Sequence, residues 1–197
     1  MAFAWSTSSI DVVIRLSYCE ALSVGWSSDL AERGRFVDEN RQRKLRDYQL
    51  AADELQAVVQ ALPKETIAFK PASGDWSVQE VIVHLADIEA NNYVRFRAVA
   101  VHPGALVQGV DADEWANALH YERQDVELGL ELFRLLRRAN YELLASLPNG
   151  VWMHPMEHSE RGRITLEQLF DAGSQHVAAH IRQIEEIVRV WRATQQR

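Results

Sequence analysis

The stretch that decides the fold is "TLEQLFDAGSQHVAAHIRQIEEIVRVW", from Thr165 to Trp191. Thr165 and Gln168 open it as a T-x-x-Q capping box, in which two side chains satisfy the free N–H groups of a helix's first turn. Behind them Leu166, Leu169, Phe170, Gly173, Val177, His180, Ile181, Ile184, Ile187, Val188 and Trp191 return at three- and four-residue intervals, the spacing of one helical face. The pattern predicts a helix continuing to about Ala193. His176 and His180 stand four residues apart on it, so their Cβ atoms are neighbours roughly 5–6 Å apart and their rings can share one ligand.

The same period recurs upstream. Leu45, Tyr48, Ala52, Leu55, Val58, Val59 and Leu62 predict a helix from about Arg41, which Pro63 stops. Ser77 and Glu80 form an S-x-x-E capping box at the head of a second helix, Val78 to about Val101, with Val81, Leu85, Ile88, Asn92 or Tyr93, and Phe96 on its buried side. A third runs from about Val126 to Leu147 and ends at Pro148, Asn149 and Gly150. The stretches "HPGALVQGVDADEWANALHYERQ" and "VWMHPMEHSERGRI" between these helices read as long loops, the first with a short helix around Glu114 to Leu119. Four amphipathic helices without a strand pattern predict an all-α, antiparallel four-helix bundle over residues 41–197. Connections this long commonly cover a site at one end of the scaffold. Residues 1–40 show no sustained period and read as an appendage of uncertain structure.

Composition narrows the function classes. The chain has 197 residues, 47% of them hydrophobic, which suits one domain with a substantial core. A net charge of -7 argues against nucleic acid or anionic lipid as partner and leaves a small molecule or a protein. The single cysteine, Cys19, excludes an intramolecular disulfide framework and a cysteine-based zinc site. No basic n-region precedes an apolar run at the start, and no run reaches the roughly 18 residues of a transmembrane span, so the expected location is cytoplasmic.

A third histidine, His84, lies close to the apolar seam of the second helix. Facing helices of a bundle present inward side chains to one another, so His84, His176 and His180 can converge on one ion. Three neutral imidazoles suit zinc or nickel and leave a coordination position open, the arrangement typical of catalytic rather than structural zinc. Ordinary hydrogen-bonded bundle histidines are the other reading of the same spacing. At 100° per residue, Asn91 and Arg95 fall within about 20° of His84 in helical bearing, extending a polar wall where a substrate can bind. Asp87 could orient a ligand imidazole or serve in proton transfer. His154 and His158 are also four apart, but Pro155 between them points to loop surface for both. "HPMEH" is not H-E-x-x-H, so the metalloprotease arrangement is absent. His102 and His120 have no implicating spacing.

"GDWSVQEVIVHLADIEANNYVRFR" and "ITLEQLFDAGSQHVAAHIRQIEEI" resemble the two signature segments of the DinB/YfiT-like superfamily of metal-dependent enzymes. The resemblance covers most of residues 41–193. "DADEWANAL" and the loop beginning "MHP" look more like its YfiT and bacillithiol-transferase branch. It implies a four-helix bundle, often a homodimer, with a divalent metal on His84, His176 and His180. It also implies an activity on small molecules, either hydrolysis or transfer involving a low-molecular-weight thiol such as bacillithiol or mycothiol.

Three functions follow. In a hydrolase the ion lowers the pKa of bound water, and in a thiol S-transferase it binds the cosubstrate sulfur as thiolate. Cys19 lies outside the resembling region and is a poor nucleophile candidate, so the thiol would arrive with the substrate. The second is a noncatalytic, metal-containing stress or ligand-binding module. The third is an interaction bundle whose histidines bind nothing.

Overall fold

Ser77 starts α2 (Val78–Val101) as its capping box predicts: the Glu80 N–H donates to Ser77 Oγ at 3.3 Å, and the Ser77 N–H donates to Glu80 Oε2 at 2.8 Å. Thr165 and Gln168 do the same for α5 (Leu166–Gln195). Caps of this kind are each worth about 1 kcal/mol. The computed structural model describes residues 28–196, in which α1 (Ser28–Gln60) and α4 (Val126–Ser146) complete the long helices. The short α3 (Ala112–Ala118) lies in the first long connection, two residues earlier than its expected start. Residues 28–40, read above with the appendage, continue α1. Leu30, Ala31, Glu32, Arg33, Arg35 and Glu39 within them are good helix formers, whose propensity needs no apolar period to act. Cys19 and the segment before residue 28 lie outside the described residues.

Both α1 and α2 pack against α4 and α5. One part of the core gathers Leu55, Ile82, Leu85, Phe133 and Ile184. The other gathers Tyr48, Phe96, Leu144, Trp152, Met156 and Phe170. Gly129 lets α4 approach α2, since a Cβ there would stand 3.2 Å from Ile82 Cγ2.

The long connections differ from the expected loops. β1 (Ala105–Val107) pairs in parallel with β2 (Pro155–His158), which pairs antiparallel with β3 (Gly162–Thr165). Each strand has three or four residues, too few for alternation to be read along the chain. Pairing two distant connections is what makes them strands. Alternation then turns Met156 and His158 to the buried side and leaves Glu157 exposed. His158 is therefore only 6% exposed, contrary to the loop-surface expectation. His154 is half-buried, with Nδ1 3.2 Å from the Val99 carbonyl oxygen.

Candidate metal centre

α2 and α5 bring the three histidines together. His84 Nε2 is 2.9 Å from His176 Nε2, which is 3.1 Å from His180 Nε2. The rings stand edge to face, with centroids 4.3–5.1 Å apart. Two imidazole nitrogens each roughly 2.0–2.1 Å from a shared ion can be at most about 4.1 Å apart, so the observed spacings fit one first-row divalent ion. His180 Nδ1 stands 2.7 Å from Gln183 Oε1. A neutral imidazole donating its Nδ1–H there leaves the Nε2 lone pair for metal, the usual outer support of a metal histidine. Gln183 follows His180 by three residues on α5, within reach of helical side-chain pairing.

Trp76, just before the α2 cap, closes one side of the cluster. Its ring meets His84 edge-on at 4.9 Å and lies parallel to His180 at 6.3 Å, while Nε1–H donates to Asp113 Oδ1 at 3.1 Å. Nothing in the spacing of the sequence singles out Trp76, because its role depends on α3 arriving beside it.

Burial keeps the imidazoles neutral. Desolvation, with the nearby His180 and His176, lowers the His84 pKa from its ordinary 6.5 to about 3. Desolvation, then His180, Arg161 and Arg137, lowers that of His176 to about 4. Desolvation also depresses His180, opposed by its bond to Gln183. Neutral imidazole is the metal-binding form, so the site is ready to ligate at neutral pH. In the unfolded chain these rings take protons near pH 6.5, whereas the folded chain resists until about pH 4 for His176 and about pH 3 for His84. Between those values the unfolded state holds more protons, so stability present above pH 6.5 is lost as pH falls. The metal-free protein is expected to show a melting temperature that drops between pH 6.5 and 4. In His176→Gln the slope should be shallower in a parallel thermal titration.

His84 and His176 open onto a cavity of about 180 Å³. Arg95 lines it, as its bearing suggested, and one of its guanidinium nitrogens donates to the Gln108 carbonyl. The asparagine on the cavity wall is Asn92 rather than Asn91, whose Nδ2 donates to the Asp87 carbonyl at 2.8 Å. Asn92 faces α5 at Gly173, where a Cβ would stand 3.2 Å from Asn92 Nδ2. The half-buried Asp87 accepts a hydrogen bond of 2.5 Å from the hydroxyl of the buried Tyr121. That bond, with burial, raises the Tyr121 pKa. His158, Glu160 and Arg161, which sequence spacing did not implicate, also line the cavity. His158 ends β2, and Glu160 and Arg161 lie in the turn that leads into β3.

Among the described residues, no helix is long and apolar enough to cross a membrane. Residues 47–184 match the family model of the DinB superfamily. A protein of Bacillus licheniformis named a "Putative metal-dependent hydrolase" is 27% identical over 151 residues, 74% of this chain and 86% of that protein. A protein of the same description from Oceanobacillus iheyensis is 27% identical over 135 residues, 68% of this chain and 78% of its own. The solved structure of YfiT from Bacillus subtilis, described as a four-helix bundle of unusual topology, superposes with a TM-score of 0.71 at 21% identity, over 87% of this chain and 92% of that one. With a family match over residues 47–184, most of the bundle, the chain belongs to the DinB superfamily.

Proposed function

We propose that this protein is a metal-dependent hydrolase of a small molecule, with zinc or nickel held by His84, His176 and His180. The observation that carries the reading is the convergence of three neutral imidazoles at the wall of a cavity. Three protein ligands leave room for water or substrate, where a structural site would be closed by a fourth. A divalent ion held there would polarise the scissile group and lower the pKa of water. The names of the relatives from Bacillus licheniformis and Oceanobacillus iheyensis agree with this chemistry.

The chain's own residues supply the rest. Gln183 fixes the His180 ring, and Trp76 packs against the His84 and His180 rings. Asp87, one turn beyond His84 and held by Tyr121, is the residue we assign to proton transfer. Arg95 is the substrate-binding group on the cavity wall.

The test uses untagged protein reconstituted with zinc or nickel and offered small esters and amides, with and without bacillithiol, mycothiol or glutathione. Thiol-independent turnover that is lost in His180→Ala supports hydrolysis. Turnover only with a thiol would replace it with S-transfer. Stoichiometric metal without turnover of any kind would leave a binding module.

A further inference from the structure

The cavity beside the three histidines is asymmetric in charge. Arg95 comes from α2, while His158, Glu160 and Arg161 come from the end of β2 and the turn into β3. Among the described residues no ion pair within 4.0 Å engages Arg95 or Arg161. Glu160 favours the charged form of Arg95, while burial and Arg161 oppose it. Two guanidiniums and one carboxylate leave an excess of one positive charge, and a metal dication adds to it. Holding like charges beside a half-buried cavity is costly unless an anion offsets them.

The fourth imidazole does not add to this excess. The Glu160 N–H donates to His158 Nδ1 at 3.2 Å, so a neutral ring carries its proton on Nε2 and offers a donor. Desolvation, Arg95 and Arg161 all hold His158 in that neutral form. Arg95 spends one donor on the Gln108 carbonyl and keeps the rest of its fork available. A guanidinium fork matches the two oxygens of a carboxylate. The size is also restrictive, since about 180 Å³ lies below the roughly 300–1,000 Å³ of pockets that bury drug-sized ligands. Gly109, also in the lining, lets the Glu160 carboxylate lie close against its backbone, where a Cβ would meet it.

We propose that the cavity recognises the carboxylate of a small anionic substrate through Arg95 and Arg161, holding it beside the ligand histidines His84 and His176. The substrate class is thus a short-chain carboxylate whose hydrolysable group faces the three-histidine cluster. This rests on the hydrolase reading for its chemistry, but the subsite can be tested without turnover.

The probes are propionate and propionamide, equal in heavy atoms and different in charge, titrated into isotope-labelled full-length protein stripped of metal. Chemical shifts report binding at Arg95, Gly109 and Arg161. Propionate should bind at least about tenfold more tightly than propionamide, and Arg95→Gln or Arg161→Gln should each weaken it by about tenfold, the worth of one charge-assisted hydrogen bond. Zinc affinity, measured separately, should remain in both variants. Arg161 is exposed, so its replacement keeps the test valid if Arg95→Gln misfolds. Equal binding of the amide, no binding of propionate, or indifference to both arginines overturns the subsite and leaves the metal reading intact. Arginine-dependent propionate binding by a protein that takes up no zinc has the opposite meaning. Inorganic phosphate binding more tightly than propionate through the same arginines would overturn the carboxylate assignment.

Discussion

His84→Ala is expected to weaken zinc binding by more than about 100-fold, measured by competition with a chromogenic chelator. Loss of an outer partner of a metal ligand typically costs 10–100-fold, and loss of the ligand itself exceeds that. The remaining pair on α5 has only helical spacing in common. Without His84 from α2, nothing holds a third nitrogen 2.9 Å from that of His176. A stability readout accompanies the affinity. Ligand binding to the native state stabilises by RT ln(1 + [L]/Kd), about 4 kcal/mol at a thousandfold excess over Kd. Zinc should therefore raise the melting temperature of the wild-type chain and leave that of His84→Ala nearly unmoved. Gln183→Ala should sit between the two, at 10–100-fold weaker binding, because it removes the acceptor that holds the His180 ring. Unchanged zinc affinity in His84→Ala would show that the cluster is an ordinary set of bundle histidines.

Glu89→Ala is expected to cost about 3–5 kcal/mol of folding stability, measured by urea unfolding of the metal-free protein. Glu89 on α2 and Arg137 on α4 are both 1% exposed, and their side chains meet at 2.9 Å. The Tyr48 hydroxyl and Asn140 Nδ2 also donate to the Glu89 carboxylate, while Arg137 Nε donates to the Tyr48 carbonyl at 2.9 Å. Arg137 is left with one buried nitrogen, Nη2, that has no hydrogen-bond partner, and its guanidinium lies 3.4 Å from the Tyr48 ring centroid. Removing Glu89 leaves that buried cation without its counter-charge, which is the expensive change. Removing both charges is much cheaper, so Glu89→Leu combined with Arg137→Met should recover most of the loss. The network also reaches the metal centre, since the Arg137 charge opposes protonation of His176. A cation freed of its carboxylate would oppose a bound dication as well. A double variant no more stable than Glu89→Ala would mean that these groups act independently.

The helices and the candidate-site residues were legible in the sequence to different depths. Apolar recurrence and two capping boxes located α2, α4 and α5 because a helix is a local structure: its period and caps lie within a few residues of each other. His176 and His180 were readable as a pair for the same reason. The start of α1 was less clear, because residues 28–40 carry helix formers without an apolar stripe.

Sequence alone determined the four-helix bundle, the acidic character that disfavours polyanion partners, and the resemblance that joins His84 to a pair about 90 residues away. Tertiary structure decided whatever depends on meetings between distant segments. It made strands of two connections that look like loops, turned His158 inward and brought Arg161 and Arg95 to the lining of one cavity. It also made Asn92 rather than Asn91 the wall residue, and buried Glu89 against Arg137. The physical reason is common to all of them. Period and capping are short-range properties, whereas strand pairing, burial of a charge and the closing of a cavity are settled by which surfaces meet when the bundle packs.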